Sequence, residues 1–214
     1  MPDTPDNPEE NTAVGLDTVY TLTSPDQASG FYDRWANAYD ADVTQNGYAT
    51  PHRCAEALAA HATRPEAPLM DLACGTGLSG VALAEQGFTC IDGFDISEGM
   101  LEKARETGVY RDLHIVDLSK PLGIEPGVYH NAAAVGCVSP EYMPATILDD
   151  VLDKLPSGGC FVFSVNDHAA KDGTIAGRIM ELVDTGYAEL LFSEYGDHLP
   201  SQGLRATVYV LRRR

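Results

Sequence analysis

Apolar and polar positions along the chain follow two patterns, one typical of buried strands and the other of amphipathic helices. Short apolar runs predict strands at residues 68–73, 88–95, 113–116, 129–138 and 160–165. Apolar residues at helical spacing predict helices from the end of the first strand to about residue 86, after Ser97, and at 144–155 and 175–183. Residues 189–194 and 206–211 predict a closing antiparallel pair of strands. The alternation predicts an α/β fold with a doubly wound, mostly parallel, seven-stranded, Rossmann-like sheet.

The first strand leads into a glycine turn, around which the rest of the chain is organised. Residues 68–80 read Pro-Leu-Met-Asp-Leu-Ala-Cys-Gly-Thr-Gly-Leu-Ser-Gly. Gly75 and Gly77 allow the backbone to turn sharply and allow a ligand to approach it without meeting a Cβ atom. The helix behind the turn presents unpaired N–H groups to that ligand. This order of elements predicts a nucleotide-type ligand at the carboxyl edge of the sheet.

The ligand of such a turn can be a dinucleotide or S-adenosylmethionine. Residues 75–80 match the dinucleotide fingerprint, and Asp95 lies twenty residues beyond Gly75, at the spacing of a ribose-binding acid. Asp71, however, would repel a pyrophosphate at the turn. A ligand with a cationic reactive end would instead be attracted to this carboxylate in a partly desolvated cleft. The sequence therefore favours S-adenosylmethionine, which carries a sulfonium and an ammonium group.

Four segments resemble one protein family. Residues 71–77, Asp-Leu-Ala-Cys-Gly-Thr-Gly, resemble motif I of the class I S-adenosylmethionine-dependent methyltransferases. Residues 91–101 resemble the second motif of that family, and residues 116–119 resemble its adenine-binding segment. Residues 31–40 are similar to the N-terminal helical lid of the small-molecule, "methyltransferase-like" branch. The resemblance extends from about residue 26 to the C-terminus, and it implies the fold and the cofactor more specifically than the substrate.

The motifs and the strand ends together predict a cofactor site. Asp95 can accept hydrogen bonds from both ribose hydroxyls, while Ile96 lines the adenine. Asp117 can accept from the adenine amino group and Leu118 can offer its backbone N–H, although Asp117 as a simple turn cap is an alternative. Backbone carbonyls around Gly136 can accept from the methionine ammonium. The predicted cofactor-binding residues are Tyr32, Tyr39, Asp71, Ala73, Cys74, Gly75, Gly77, Asp95, Ile96, Asp117, Leu118 and Gly136.

The N-terminal part of the chain divides into two segments. Residues 1–23 contain prolines and acids but no Lys or Arg, which predicts a mobile acidic segment. Ser24 is predicted to cap a helix that Gly30 breaks or kinks. Phe31, Trp35 and Tyr39 then share one helix face, which either packs on the domain or closes over the cofactor as a lid. We expect residues 24–214 to form one methyltransferase domain that includes the helical lid at 24–62.

Composition and charge limit the partners that we expect. The net charge is −18, from 32 acids against 14 bases, and such a field opposes binding to phosphate backbones. We therefore expect a small-molecule acceptor, no nucleic acid and no membrane. The Asn/Asp-Pro-Pro-aromatic tetrad expected by resemblance in many nucleic-acid amino methyltransferases does not follow the fourth predicted strand. Five scattered cysteines and the lack of a signal-peptide pattern favour a reducing cytoplasm.

Methyl transfer needs a general base only when the acceptor arrives protonated. His168, at the end of the fifth predicted strand, is the best-placed histidine, although it could simply be a solvated loop residue. Tyr142, Tyr32, Tyr39 and His52 are weaker candidates, His130 lies at the wrong end of its strand, and His61, His114 and His198 have no motif around them. No cluster has metal-ligand spacing, so we expect no metal.

Three functions remain open from the sequence. The first is an S-adenosylmethionine-dependent methyltransferase acting on an unidentified small-molecule acceptor. The second is a non-catalytic regulatory protein that binds the same cofactor, because cofactor residues can be complete while the acceptor pocket is inactive. The third is an NAD-dependent oxidoreductase that uses the literal glycine fingerprint, and Asp71 and Asp117 argue against it.

Overall fold

The computed structural model describes residues 15–16, 25–139 and 143–214, without the side chains of residues 25–28. The helices are α1 (Pro25–Gln45), α2 (Thr50–His61), α3 (Leu78–Glu85), α4 (Glu98–Thr107), α5 (Ile147–Lys154) and α6 (Thr174–Asp184), with a short 3₁₀ turn at Pro200–Gln202. The strands are β1 (Leu69–Leu72), β2 (Ile91–Asp95), β3 (Tyr110–Ile115), β4 (Asn131–Ala134), β5 (Cys160–Asn166), β6 (Ala188–Leu199) and β7 (Leu204–Arg213). The predicted mobility of residues 1–23, apart from positions 15 and 16, the cap at Ser24 and the candidate Tyr142 concern positions outside the described residues.

The seven strands form one sheet in the order β3-β2-β1-β4-β5-β7-β6. Neighbouring strands from β3 to β5 are parallel, whereas β7 runs antiparallel to both β5 and β6. The predicted doubly wound sheet and its closing antiparallel pair are confirmed. The order reverses between β1 and β4, and ligands of open α/β sheets bind outside the carboxyl ends of the strands at such a switch point.

Apolar layers cover both faces of the sheet, as expected for strands that are buried on both sides. Strand β5 shows this division, because Phe161 and Phe163 pack with the layer that contains α5, whereas Val162 packs with the layer that contains α2. All three side chains are fully buried. The core therefore fixes the sheet rigidly beneath the loops at its carboxyl edge.

Several predicted boundaries differ from the structure for local reasons. Strand β4 ends at Ala134 and not near residue 138, because Gly136 takes a left-handed conformation (φ 75°) and its N–H donates to the Ser164 hydroxyl at 2.8 Å. Gly30 does not break α1, which runs without interruption from Pro25 to Gln45. Ser97 caps α4 as predicted, since its hydroxyl accepts from the Met100 N–H at 3.1 Å.

A membrane-spanning segment would need a long and apolar helix. No helix within residues 15–16, 25–139 and 143–214 is both long enough and apolar enough to cross a bilayer.

Candidate functional site

A cavity of about 410 Å³ opens where β1, β2 and β4 end, and α1 contributes one of its walls. This volume lies in the range of small-molecule and cofactor pockets. Ten predicted site residues line it: Tyr32, Tyr39, Ala73, Gly75, Asp95, Ile96, Asp117, Leu118, Gly136 and His168. Three other predicted site residues, Asp71, Cys74 and Gly77, do not line the cavity. The fold thus brings together residues that are more than a hundred positions apart in sequence.

The glycine turn after β1 needs its two glycines for different reasons. A Cβ on Gly75 would meet nothing within 4 Å, and Gly75 faces the cavity with φ 55°, so this position leaves space for a ligand. Gly77 has φ 98° and packs against Thr107 and Tyr110, so it permits close packing of α4 and β3 behind the turn. The expectation that Gly77 contacts the ligand is corrected accordingly. Ala73, also with positive φ (51°), turns the backbone at the cavity wall.

Asp95 connects the two loops that bound the cavity. One carboxylate oxygen accepts from the Gly75 N–H and the other accepts from the Ser97 N–H, both at 2.9 Å. Burial raises the pKa of Asp95, and the two backbone hydrogen bonds oppose that rise. Each carboxylate oxygen has a second lone pair, so the group can still accept hydrogen bonds from a ligand. This arrangement fits the predicted ribose contact, which stays a prediction.

Asp71 lies beneath the turn and is fully buried. Its Oδ2 accepts from the Ser79 hydroxyl at 2.7 Å and from the Tyr110 hydroxyl at 2.8 Å, whereas its Oδ1 has no hydrogen-bond partner. Burial raises the pKa of Asp71 to about 6 although both hydroxyls lower it. Because Asp71 does not line the cavity, the predicted attraction of a cation by this carboxylate can act only through its charge and not by direct contact.

Cys74 is also buried behind the turn and not in the cavity. Its N–H donates to the Phe94 carbonyl at 3.0 Å, which joins the turn to β2. Burial raises the pKa of its thiol well above the usual value. We therefore correct the expectation of a ligand contact at Cys74, whose backbone positions the loop.

Asp117 performs the turn-capping role that the sequence left open. Its Oδ1 accepts from the Ser119 N–H at 3.0 Å, and its Oδ2 pairs with Lys120 at 2.7 Å. The hydrogen bond from Lys120 lowers the pKa of Asp117. Because Asp117 also lines the cavity, the capping role and the predicted adenine contact are compatible.

Two acids on α1 join this helix to the loops around the cavity by hydrogen bonds, and no sequence motif indicated them. Asp40 accepts from the Thr76 hydroxyl in the glycine turn at 2.5 Å. Asp33 accepts from the Ser97 hydroxyl at 2.5 Å and from the Gly99 N–H at 3.0 Å at the start of α4. Phe31 and Trp35 are buried on the inner side of α1, so the helix is both packed and hydrogen-bonded. We call Asp33 and Asp40 the lid acids.

Removing a lid acid should accelerate exchange of a bound cofactor. A net hydrogen bond contributes about 0.5–1.5 kcal/mol, so Asp40→Ala and Asp33→Ala should each raise the dissociation rate roughly three- to tenfold. Thr76→Val should reproduce the effect of Asp40→Ala, because it removes the other partner of the same hydrogen bond. Dissociation of labelled S-adenosylmethionine, chased with unlabelled cofactor, measures this rate. Asn37→Ala, at an exposed position on the same helix, should leave the rate unchanged, and equal rates in all five proteins would contradict the fastening.

The predicted catalytic candidates lie in different surroundings. His168 lines the cavity but is exposed, with its Nδ1 at 3.4 Å from the Lys171 ammonium. His52 is not among the lining residues and instead pairs with Glu85 on the outside. In addition, the structure places His198 and Tyr48 at the cavity, where no sequence motif indicated them. Within the described ranges, no group of three or more His, Cys, Asp or Glu side chains could hold a metal ion.

Comparisons with known proteins agree with this geometry. Residues 69–146 match the family model described as "Methyltransferase domain". The sheet and its helices superpose on magnesium protoporphyrin IX methyltransferase from Synechocystis PCC 6803, solved with bound SAH, at a TM-score of 0.58 and 14% identity over 77% of this chain and 82% of that one. An identity this low shows the fold alone. The match over residues 69–146 and the shared fold agree with the resemblance to class I S-adenosylmethionine-dependent methyltransferases that the sequence motifs indicated.

Curated proteins that are similar in sequence to this chain include two kinds of methyltransferase. Methyltransferase-like protein 27 from Homo sapiens is 35% identical over 131 residues, which cover 60% of this chain and 54% of the human protein. The 18S rRNA (guanine-N(7))-methyltransferase RID2 from Arabidopsis thaliana is 43% identical over 70 residues, 33% of this chain and 24% of the plant protein. The chain thus spans about half or less of the length of these relatives. The match to the human protein agrees with the predicted "methyltransferase-like" branch.

The expectation of no nucleic-acid partner is wrong on this finding. Three relatives carry the name 18S rRNA (guanine-N(7))-methyltransferase, and they share between 31% and 43% identity with the chain over 70 residues. The inference from net charge failed because a sum over the whole chain does not describe one local surface. It also says nothing about a partner that could carry the basic residues.

Proposed function

We propose that the chain binds S-adenosylmethionine in the cavity and transfers its methyl group to a small molecule. The observation that carries the proposal is the Asp95 carboxylate, which fastens the glycine turn to the start of α4 and faces a cavity of cofactor size. The lid acid Asp33 also binds the start of α4, where it accepts from the Ser97 hydroxyl and the Gly99 N–H. Together these contacts support a site organised for one ligand that reaches from the turn to β2.

The charges around the cavity fit this cofactor. Asp71 leaves a buried oxygen without a hydrogen-bond partner beneath the turn, and Asp95 adds a second acid close by. Two buried carboxylates stabilise a cation and oppose a pyrophosphate. The half-buried Arg53 guanidinium donates to backbone carbonyls of β6 and β7. The proposal therefore favours a sulfonium cofactor over NAD.

The bound cofactor would supply an already activated methyl group, so the protein mainly needs to orient the acceptor and exclude water. Gly75, Asp95 and Gly136 are the proposed contacts that hold the cofactor. Trp35 and Val43 on α1 form part of the cavity wall. In this proposal α1 acts as the lid over the bound cofactor.

The acceptor side of the cavity supports a small molecule. Its apolar walls include Val138, Met143 and Leu199. Apolar walls with a few polar groups are typical of small-molecule pockets. The names of the rRNA-methylating relatives make RNA the competing acceptor, and the experiment below includes it.

Calorimetry and methyl transfer test the two parts of the proposal separately. S-adenosylmethionine and S-adenosylhomocysteine should bind, and NAD(H) should bind more weakly or not at all. Methyl-labelled cofactor is then incubated with the protein and with the small-molecule or the RNA fraction of a host extract. Label entering the small-molecule fraction supports the proposal. Label entering only RNA contradicts the acceptor class, tight binding of NAD(H) contradicts the cofactor, and binding without any transfer supports a regulatory protein.

A further inference from the structure

His198 occupies a position in the cavity that the fold constructs specifically. The register of β6 and β7 shifts between Asp197 and Leu199, so His198 lies in a β-bulge. Bulges commonly redirect a side chain and occur next to active sites. Here the bulge accompanies a histidine that lines the cavity and is only 4% exposed. Residues of an edge strand are often exposed, whereas His198 is buried at a bulge of the edge strand β6. This position points to a role beyond packing.

Two residues next to one another hold His198 in place. Its backbone carbonyl accepts from the Ala49 N–H at 3.0 Å, and its ring Nδ1 lies 2.7 Å from the hydroxyl of the buried Thr50. Because Nδ1 is occupied by Thr50, Nε2 is the ring nitrogen that remains for a ligand. The Thr50 hydroxyl can donate or accept, so it orients the ring, and Nε2 is the basic nitrogen when Nδ1–H donates to Thr50. A second group that orients a histidine is the usual arrangement around a general base.

The imidazole also lies beside the part of the cavity proposed for the reactive end of the cofactor. Tyr48 packs edge-on against His198 with ring centroids 5.3 Å apart. The Tyr48 hydroxyl lies so close to Gly136 that a Cβ there would collide with it, and that Cβ would stand 3.9 Å from His198 Cε1. Gly136 is the proposed contact for the methionine end, so His198 faces the region where the methyl group would be presented.

The protonation state of His198 suits a base. Burial and, to a smaller extent, the positive charge of Arg53 lower the pKa of His198 to about 4, although Asp167 opposes both. His168 and Tyr48 are the other titratable groups that face the ring. The imidazole is therefore neutral at pH 7 and can accept a proton.

From this geometry we infer that His198 is the general base for methylation of a hydroxyl group on a small, largely apolar acceptor. The inference rests on the proposed function. The acceptor oxygen forms a bond to the methyl carbon as the carbon–sulfur bond breaks. The electron pair of the broken bond stays on sulfur. The hydroxyl proton passes to Nε2 of His198 and then to solvent. Charge is conserved in the site, because the sulfonium becomes a neutral thioether while the imidazole becomes an imidazolium.

This transfer of charge explains how a base with a low pKa can serve. While the sulfonium is present, a neutral histidine avoids repulsion between two cations in one cavity. As the carbon–oxygen bond forms, the hydroxyl proton becomes strongly acidic and the sulfonium charge disappears. An acceptor with a neutral amine would need no base, so a buried neutral histidine favours a hydroxyl acceptor.

Nitrogen NMR of the histidine rings tests the inference on the wild-type protein. The protein carries ¹⁵N-histidine and is saturated with S-adenosylhomocysteine, and phenol is the probe. We expect the neutral Nδ1–H tautomer of His198 at pH 7 and a saturable change of its Nε2 shift when phenol is added. A neutral Nε2–H tautomer, a saturable phenol response at His168 alone, or no response up to the solubility of phenol would each overturn the inference.

Variants give a second and independent readout. Methylation of phenol should fall at least tenfold in His198→Asn, and by a smaller factor in Thr50→Val, whereas Thr50→Ser should retain the wild-type rate. His61→Asn, outside the cavity lining, is the matched control. Calorimetric binding of S-adenosylhomocysteine separates the failures: loss of binding in the wild type defeats the proposed function, whereas normal binding with unchanged turnover in His198→Asn defeats only the role of His198.

Discussion

Replacing Asp95 by alanine is expected to weaken S-adenosylmethionine binding by roughly a hundredfold. The carboxylate makes two hydrogen bonds to backbone N–H groups in the structure, at Gly75 and Ser97, and a ligand would add others. Hydrogen bonds to a charged group contribute about 1.5–3 kcal/mol each, and the loss of one such bond to the ligand together with a loosened turn gives this magnitude. Isothermal titration calorimetry of the variant measures the change.

Two matched variants show which part of Asp95 matters. Asp95→Asn keeps one carbonyl acceptor without the charge, so its affinity should lie between those of the wild type and Asp95→Ala. Glu98→Ala removes an exposed acid three residues away and should bind as the wild type does. If Asp95→Ala binds the cofactor normally, the cofactor does not lie where we propose.

Asp71 is expected to make the stability of the fold decrease as the pH rises from about 4 to about 6. Its pKa is about 6 in the folded protein against an ordinary value of 3.8, so the folded state binds more protons in this window. The stabilisation that Asp71 contributes is then fully present below about pH 4 and is lost above about pH 6. The shift corresponds to about 3 kcal/mol at 1.36 kcal/mol per pKa unit.

Urea unfolding of the wild type and Asp71→Asn at pH 4, 5, 6 and 7 isolates this contribution. The variant should lack the slope, so the difference in unfolding free energy between the two proteins should change by about 3 kcal/mol across the window. The amide of the variant adds a constant offset that does not affect this change. Asp184→Asn, at an exposed position, should retain the wild-type slope. If the difference in unfolding free energy is independent of pH, the pKa of Asp71 is not raised in the folded protein.

The cofactor should act on the same group. A sulfonium and an ammonium in the cavity favour the ionised form of Asp71, so binding should tighten as the pH rises through about 6 in the wild type and not in Asp71→Asn. This pH dependence tests whether an acid beneath the turn attracts a cation even though Asp71 itself does not line the cavity.

The sheet and the cavity at its carboxyl edge could be predicted from the sequence because both depend on local patterns. Strand periodicity, the glycines at 75 and 77 and the acid at the end of β2 follow from residues close to one another in the chain. Gly77 shows the limit of this reasoning, since its need for a small residue comes from Thr107 and Tyr110, thirty positions away.

The remaining parts of the site depend on tertiary contacts that leave no local pattern. Asp33 and Asp40 look like a solvated acidic helix face in the sequence, and only the packing of α1 brings them to Ser97 and Thr76. His198 lies in an edge strand, and a bulge that no motif announces brings it to the cavity beside Thr50, 148 positions earlier. Net charge, in turn, is a property of the whole chain, and the prediction of no nucleic-acid partner that was based on it is wrong.

The aromatic interior of α1 has a practical consequence. Trp35 is the single tryptophan of the chain, it is 1% exposed, and it lines the cavity while stacking near Tyr32 and donating its indole N–H to Asp42 at 2.7 Å. All tryptophan fluorescence therefore originates at the cavity wall. Ligand occupancy and opening of the helix can be followed optically in the unlabelled protein, with no other indole contributing background.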